Sequence, residues 1–247
     1  MNEFRRLAVC GVVAVTTFLA PCPIVAAPVV LGTNLIVNGD AEAGPGSLSG
    51  AAVASIPNWS SSGNFTVVQY AAGGGFPTLT DPGPVSRGNN FFAGGTSNPS
   101  SSASQLIDLS TLANEIDAGQ IAFQLAGFLG GFSTQRDNAV LMASFINGSN
   151  VQLGSAQLGP VSTADRASNT GLLFRDTLGS VPIGTRSVNL LLQMTRLDGS
   201  YNDGYADNLS LVLTTPTNVP EPSSFWLVCV AAIGLTLTGK RASKKVA

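Results

Sequence analysis

The chain has 247 residues, room for one domain with appendages, and only 11% of them are charged, against ~25% in an ordinary soluble domain. It contains 28 Gly, 3 Cys and no His, which excludes a Ser-His-Asp triad, a Cys–His pair and imidazole metal ligands. The net charge of -2 hides an uneven distribution: residues 28–219 hold six Arg, no Lys and twelve carboxylates, and the other basic residues lie at the two ends. An acidic body of this kind argues against nucleic acid as a partner.

At the start, Arg5 and Arg6 precede an apolar run over 7–20, which Pro21 and Pro23 interrupt, and Ile24-Val25-Ala26-Ala27 offers small residues for cutting. This order predicts a secretory signal helix and a signal peptide over 1–26, removed by signal peptidase after Ala26. The apolar run is too short to cross ~30 Å of hydrocarbon.

From 27 to 213 short apolar runs alternate with turn clusters, the pattern of an all-β sandwich. A first strand is predicted over Asn34-Leu35-Ile36-Val37, closed by Asn38-Gly39, and another over 65–70. Residues 71–90, rich in Gly and Pro, and 94–104, rich in Gly, Ser and Asn, read as loops, the second of them mobile. A short helix is predicted over 110–117 with Ser110 as N-cap. Ile121, Phe123 and Leu125 alternate with Ala122, Gln124 and Ala126, as in a strand with one buried face. Residues 139–146 form a continuous apolar run, the sign of burial on both faces. Asn147-Gly148 then supplies a positive φ for a hairpin into 151–158. Val188, Leu190, Leu192 and Met194 alternate clearly, as do Leu209, Leu211 and Leu213 in the last strand.

Several polar and aromatic features stand out. Arg136-Asp137 and Asp165-Arg166 read as surface ion pairs, and Phe128 and Phe132 as core and turn residues. The densest acidic stretch, 198–207, is not an EF-hand, because Gly204 stands seventh and Leu209 twelfth counting from Asp198. It reads either as a solvated turn between strands or as a calcium-stiffened loop. Trp59, Tyr70, Phe76, Tyr201 and Tyr205 fall in or beside predicted loops, where a ring face can match the C–H face of a pyranose. Trp59, Tyr201 and Tyr205 are the candidate ligand-binding residues, with a core anchor under a loop as the alternative for Trp59. Cys10, Cys22 and Cys229 all lie outside the body, so the body has no disulfide, no thiol nucleophile and no Cys-ligated zinc.

A linker over 214–218 leads to Val219-Pro220-Glu221-Pro222, then an apolar run over 225–239, then Lys240-Arg241-Ala242-Ser243-Lys244-Lys245. This predicts a short transmembrane helix over 224–239, with the basic tail in the cytoplasm and the body outside. Pro220 and Pro222 hold the motif extended at the outer boundary of the membrane. The whole end, 219–247, resembles the PEP-CTERM sorting signal of Gram-negative bacteria that make extracellular polysaccharide. The resemblance implies that Val219, Pro220, Glu221 and Pro222 form a sorting motif. It also implies a transient single-pass membrane anchor that exosortase removes, leaving the body at the cell surface or in the extracellular matrix.

The edges of the body carry a second resemblance. Asn34-Leu35-Ile36-Val37-Asn38-Gly39-Asp40-Ala41-Glu42 is similar to the opening strand of galactose-binding-like domains and related carbohydrate-binding modules, with Ala41 where an aromatic usually stands. Ala206-Asp207-Asn208-Leu209-Ser210-Leu211 is similar to their closing strand. The resemblance implies a jelly-roll β-sandwich whose first and last strands lie side by side. It also implies a structural Ca²⁺ at their junction, with Glu42 and Asp207 in the ligand positions; hard oxygen ligands suit that ion. The expected function is a non-catalytic, exported protein that binds polysaccharide. The alternative is a structural or adhesive matrix component without a sugar site. A glycoside hydrolase needs only two carboxylates, but no recognisable pair, no G-x-S-x-G and no body Lys stand in the chain.

Overall fold

A computed structural model describes residues 28–215. The signal peptide, the sorting motif and the 224–239 span lie outside the described residues. No helix among the described residues is long and apolar enough to cross a membrane.

Ten strands form two five-stranded sheets packed as a sandwich. The first sheet holds β1 (Ser60–Ser62), β4 (Ser100–Asp108), β9 (Thr185–Thr195), β6 (Asn138–Asn147) and β7 (Gln152–Leu158), in that spatial order. The second holds β2 (Thr66–Gln69), β3 (Asn90–Thr96), β10 (Tyr201–Thr214), β5 (Ala122–Gly131) and β8 (Gly171–Ser180). Every strand pair is antiparallel. The only helical segments among the described residues are a 3₁₀ turn, Ser110–Leu112, and α1, Ala113–Asp117.

The alternation read from the sequence builds the interior. Val188, Leu190, Leu192 and Met194 on β9 are fully buried, facing Leu209, Leu211 and Leu213 on β10 within one apolar cluster. Each such side chain contributes about 1.5–3 kcal/mol by leaving water. A second apolar cluster lies on the outer face of the second sheet. Successive residues split between the two: Val67, Phe92 and Ala206 point inward, whereas Val68, Phe91 and Tyr205 point outward. Period-two alternation sends neighbours to opposite faces, and here both faces are covered, the outer one by the 71–88 loop.

Several expectations need correction. The opening strand is a single bridge, Asn34 with Val212. The Asn34 side chain occupies the ladder instead, accepting from Leu211 N and donating to Leu209 O, both at 3.0 Å. The segment still runs along β10, through Gly32 N to Leu213 O and Leu35 N to Leu211 O, both at 2.8 Å. The 94–104 stretch is not a loop: it holds the end of β3 and the start of β4, which lie in different sheets, and small serines suit a strand whose Ser101, Ala103 and Gln105 face inward. β6 alternates between buried and half-buried residues, so one face only is deeply buried. Ser110 does not cap; its backbone N–H bonds Asp108 Oδ1 inside the 3₁₀ turn. In the β6–β7 hairpin the positive φ falls on Asn150, while Asn147 Oδ1 accepts the N–H groups of Ser149 and Val151.

Candidate functional site

Most of the acidic stretch that reads as a solvated turn or a calcium-stiffened loop, residues 201–207, is in fact the first half of β10, a central strand hydrogen-bonded on both sides, and 198–200 form the bend before it. Tyr201, Asp203, Tyr205 and Asp207 recur every second residue and share its outer face. Tyr205 is wholly buried and donates its hydroxyl to Asp203 Oδ1. Asp207 is also wholly buried; its Oδ2 accepts from Tyr70 Oη at 2.7 Å and its Oδ1 from Asn208 N. Burial pushes the Asp203 carboxyl up to about 6, with Asp137 adding to the rise and Tyr205 and Arg166 opposing it. Burial pushes Asp207 up to about 8, against the pull of its hydrogen bonds; Glu42 and Asp40 push it further. The Tyr70 hydroxyl is held protonated by burial and by the adjacent Asp207.

Around Asp203 lies an open cleft of about 370 Å³, with Phe76, Phe132, Gln135, Ser200 and Tyr201 in its walls. Phe76 comes from the 71–88 loop and meets Tyr201 edge to face at 5.2 Å. Tyr201 Oη donates to Gly50 O at 3.0 Å, which fixes the ring. Gly50 has a φ of +76°, and a Cβ there would strike Phe76 at 2.4 Å, so only glycine lets the ring settle.

Buried charges tie the surrounding loops together. Asp137, 1% exposed, accepts three backbone N–H groups: Leu197 at 2.6 Å, Asp198 at 2.8 Å and Asp203 at 2.9 Å. Arg166, 5% exposed, donates to the carbonyls of Ser133, Asn169 and Gln135. Arg87 does the same for the 71–88 loop, bonding Pro84 O, Thr78 O and Asp81 O while its guanidinium lies 5.1 Å from the centre of the Tyr70 ring. The two expected surface ion pairs therefore do not exist as such. Arg136 pairs with Asp198 at 2.9 Å and Asp165 approaches Arg175 at 3.6 Å, leaving Asp137 and Arg166 as internal fasteners.

Of the three ring residues singled out from the sequence, only Tyr201 reaches the cleft. Trp59 is 7% exposed, donates Nε1–H to Asn38 O at 3.0 Å and packs edge-on against Phe92. It is a core anchor. Tyr205 has no exposed surface, so it has no face to offer a ligand. Gln135 and Asp203 line the cleft without having been singled out, and Phe132, read from the sequence with Phe128 as a core and turn residue, lines it too. The signal for Asp203 was the Tyr-x-Asp-x-Tyr-x-Asp alternation itself; Phe132 and Gln135 arrive by tertiary packing and left none.

Glu42 and Asp207 are linked through Asn89 and Tyr70: the Tyr70 N–H donates to Asn89 O at 2.8 Å, and the Tyr70 hydroxyl donates to Asp207. Glu42 accepts the N–H groups of Asn89 and Asn90 at 2.8 and 2.6 Å, and Asn89 Nδ2 at 3.2 Å. All four carboxylate oxygens of the two residues accept hydrogen bonds from Tyr70, Asn208, Asn89 and Asn90, so a cation there would have to share or displace those donors. No group of three His, Cys, Asp or Glu side chains gathers among the described residues. Backbone carbonyls would have to complete the six to eight oxygens that calcium takes.

No family model matches the chain, and no curated protein matches it. Among solved structures, the chain is similar to the enzymatically active domain of bacteriophage CBA120 tailspike protein 4, at 16% identity and a TM-score of 0.43. That match covers 73% of this chain and 21% of the tailspike chain, so this chain spans about a fifth of it. It is also similar to a family 16 carbohydrate binding module, at 19% identity, a TM-score of 0.44, and 72% and 99% coverage of the two chains. A third likeness is to the CBM22-1 xylan-binding domain from Paenibacillus barcinonensis, at 12% identity, a TM-score of 0.39, and 78% and 100% coverage. Likenesses at this level concern chain architecture and say nothing about a ligand.

Proposed function

We propose that the body is a non-catalytic polysaccharide-binding module of the jelly-roll kind, carried outside the cytoplasm and sorted by its C-terminal tail. The observation that carries the binding reading is the cleft where the rings of Phe132 and Tyr201 stand beside a carboxylate and an amide. Aromatic walls with a few placed polar groups suit a pyranose, whose C–H face is apolar and whose rim is hydroxylated. One carboxylate, Asp203, lines this cleft among the described residues. Glycoside hydrolysis needs two facing each other across the bond, so the non-catalytic reading is favoured.

Export and sorting rest on the leader over 1–26 and on Val219-Pro220-Glu221-Pro222 with its apolar run and basic tail. Signal peptidase and exosortase are the proposed processing partners, and a Gram-negative cell surface or its polysaccharide matrix the proposed destination. Mass spectrometry of the mature protein, showing both ends removed, would support this; an intact chain in the cytosol would overturn it. A calcium ion bound by Glu42 and Asp207 belongs to the same proposal. It would neutralise the junction of the opening segment with the last strand. Calcium added to chelator-treated protein then raises the melting temperature, and Asp207→Asn abolishes that rise.

Binding itself is tested with a panel of immobilised polysaccharides. Tyr201→Ala weakens binding by about tenfold or more, because it removes a wall of the cleft. Trp59→Phe, in the core, leaves binding unchanged. Self-association without any response to sugar would favour the structural-component reading instead.

A further inference from the structure

We propose that the cleft selects sugars bearing a free, protonated amine, an inference that rests on the polysaccharide-binding reading above and specifies its ligand class. Two residues that line it, Asp203 and Gln135, each have one acceptor oxygen that no donor of the protein reaches among the described residues. Asp203 is 8% exposed, its Oδ1 receives the Tyr205 hydroxyl, and among the described residues no donor reaches Oδ2. Gln135 Oε1 is buried without a partner. Both residues line the cleft.

Among the described residues no side-chain cation bonds this carboxylate, and Arg166 acts on it only through its field. Arg166, the cation whose field reaches Asp203, gives both terminal nitrogens to the carbonyls of Ser133, Gln135 and Asn169. No Lys or Arg lines the cleft. The flanking rings of Phe132 and Tyr201 present electron-rich faces, which attract cations as well as sugar C–H groups.

A ligand must therefore bring donors and can bring positive charge. An ammonium group brings three N–H donors and a full charge; a hydroxyl brings one donor and no charge. An N-acetyl group brings one N–H with a carbonyl that finds no matching donor from a charged side chain. A uronate brings negative charge to an unpaired carboxylate and is rejected. The order of preference is free amine, then neutral hydroxylated sugar or N-acetylated sugar, with acidic sugars last.

The test compares three short oligosaccharides by calorimetry on the full-length chain in mild detergent at near-neutral pH: one of glucosamine, its fully N-acetylated counterpart, and one of a uronic acid. Glucosamine binds about tenfold tighter than the N-acetylated form or better. Asp203→Asn, which keeps shape and the acceptor for Tyr205, abolishes that advantage. In the unmodified chain the advantage also shrinks as salt is raised, a readout independent of any variant. Equal binding of amine and N-acetyl forms overturns the proposal, as does a preference that survives in a folded Asp203→Asn. If neutral polysaccharides bind while the amine has no advantage, this inference alone fails. If nothing in the wider panel binds, the polysaccharide reading fails with it.

Discussion

Asp137→Ala measures how the cleft is held. Asp137 gathers three backbone N–H groups from the segment that leads into β10. Alanine leaves all three without an acceptor. The Asp203 N–H is buried, whereas those of Leu197 and Asp198 are half-buried and can turn to water. A buried donor left unmade costs about 1–3 kcal/mol, and each charge-assisted bond lost at the rim costs somewhat less. The expected loss is about 4 kcal/mol, a large share of the 5–15 kcal/mol typical of a domain. Asp137→Asn keeps one oxygen, which can accept two of the three bonds, and costs about half as much. Urea unfolding followed by tryptophan fluorescence measures both, since Trp59 is the sole tryptophan of the body. A loss below about 1 kcal/mol in Asp137→Ala, with the slope of the transition unchanged, would refute the role assigned to this carboxylate.

Other substitutions check separate parts of the framework. Gly95→Ala places a Cβ 1.7 Å from Asn64 O at a φ of +87° and should cost about 3 kcal/mol or more, read as a large drop in melting temperature. Trp59→Phe removes the bond to Asn38 O and some buried area, for a loss of about 1–2 kcal/mol in urea unfolding. Asp203 titrates at about 6 when folded and near 3.8 when unfolded, so the folded state holds its proton more tightly. The stability of the wild type relative to Asp203→Asn is therefore greatest below about pH 4, falls by up to about 3 kcal/mol as pH rises to about 6, and is level above. Denaturation midpoints of the two proteins across that range measure it; a constant difference would contradict the burial of this carboxyl.

The two-sheet sandwich was legible because alternation in β9 and late β10 is a one-dimensional record of a one-sided core. Two kinds of element escaped. Asn34 to Val37 has strand composition, yet the Asn34 amide takes the place of backbone in the ladder, and composition does not report that substitution. The end of β3 and the start of β4, where the chain passes from one sheet to the other, are written in Gly, Asn and Ser, residues that score as loop because β propensity reflects how a side chain packs against its neighbours. The cleft was the harder case. Acidic residues usually mark solvent, so 198–207 reads as a turn, although its tyrosines and aspartates alternate at the strand period. Phe132 and Gln135 join Asp203 only after the β5 end folds over the sheet, a relation with no counterpart in spacing.

The route of β10 has a geometric consequence. Leu213 is tied to Gly32, so the chain enters and leaves the sandwich at one pole, while Tyr201 and Asp203 open at the other. At about 3.3 Å per residue, the path from Tyr201 to Leu213 is up to about 40 Å long. Anything fastened to the strand's far end would therefore stand most of a strand's length away from the groove, which opens on the sheet's flank near the opposite pole.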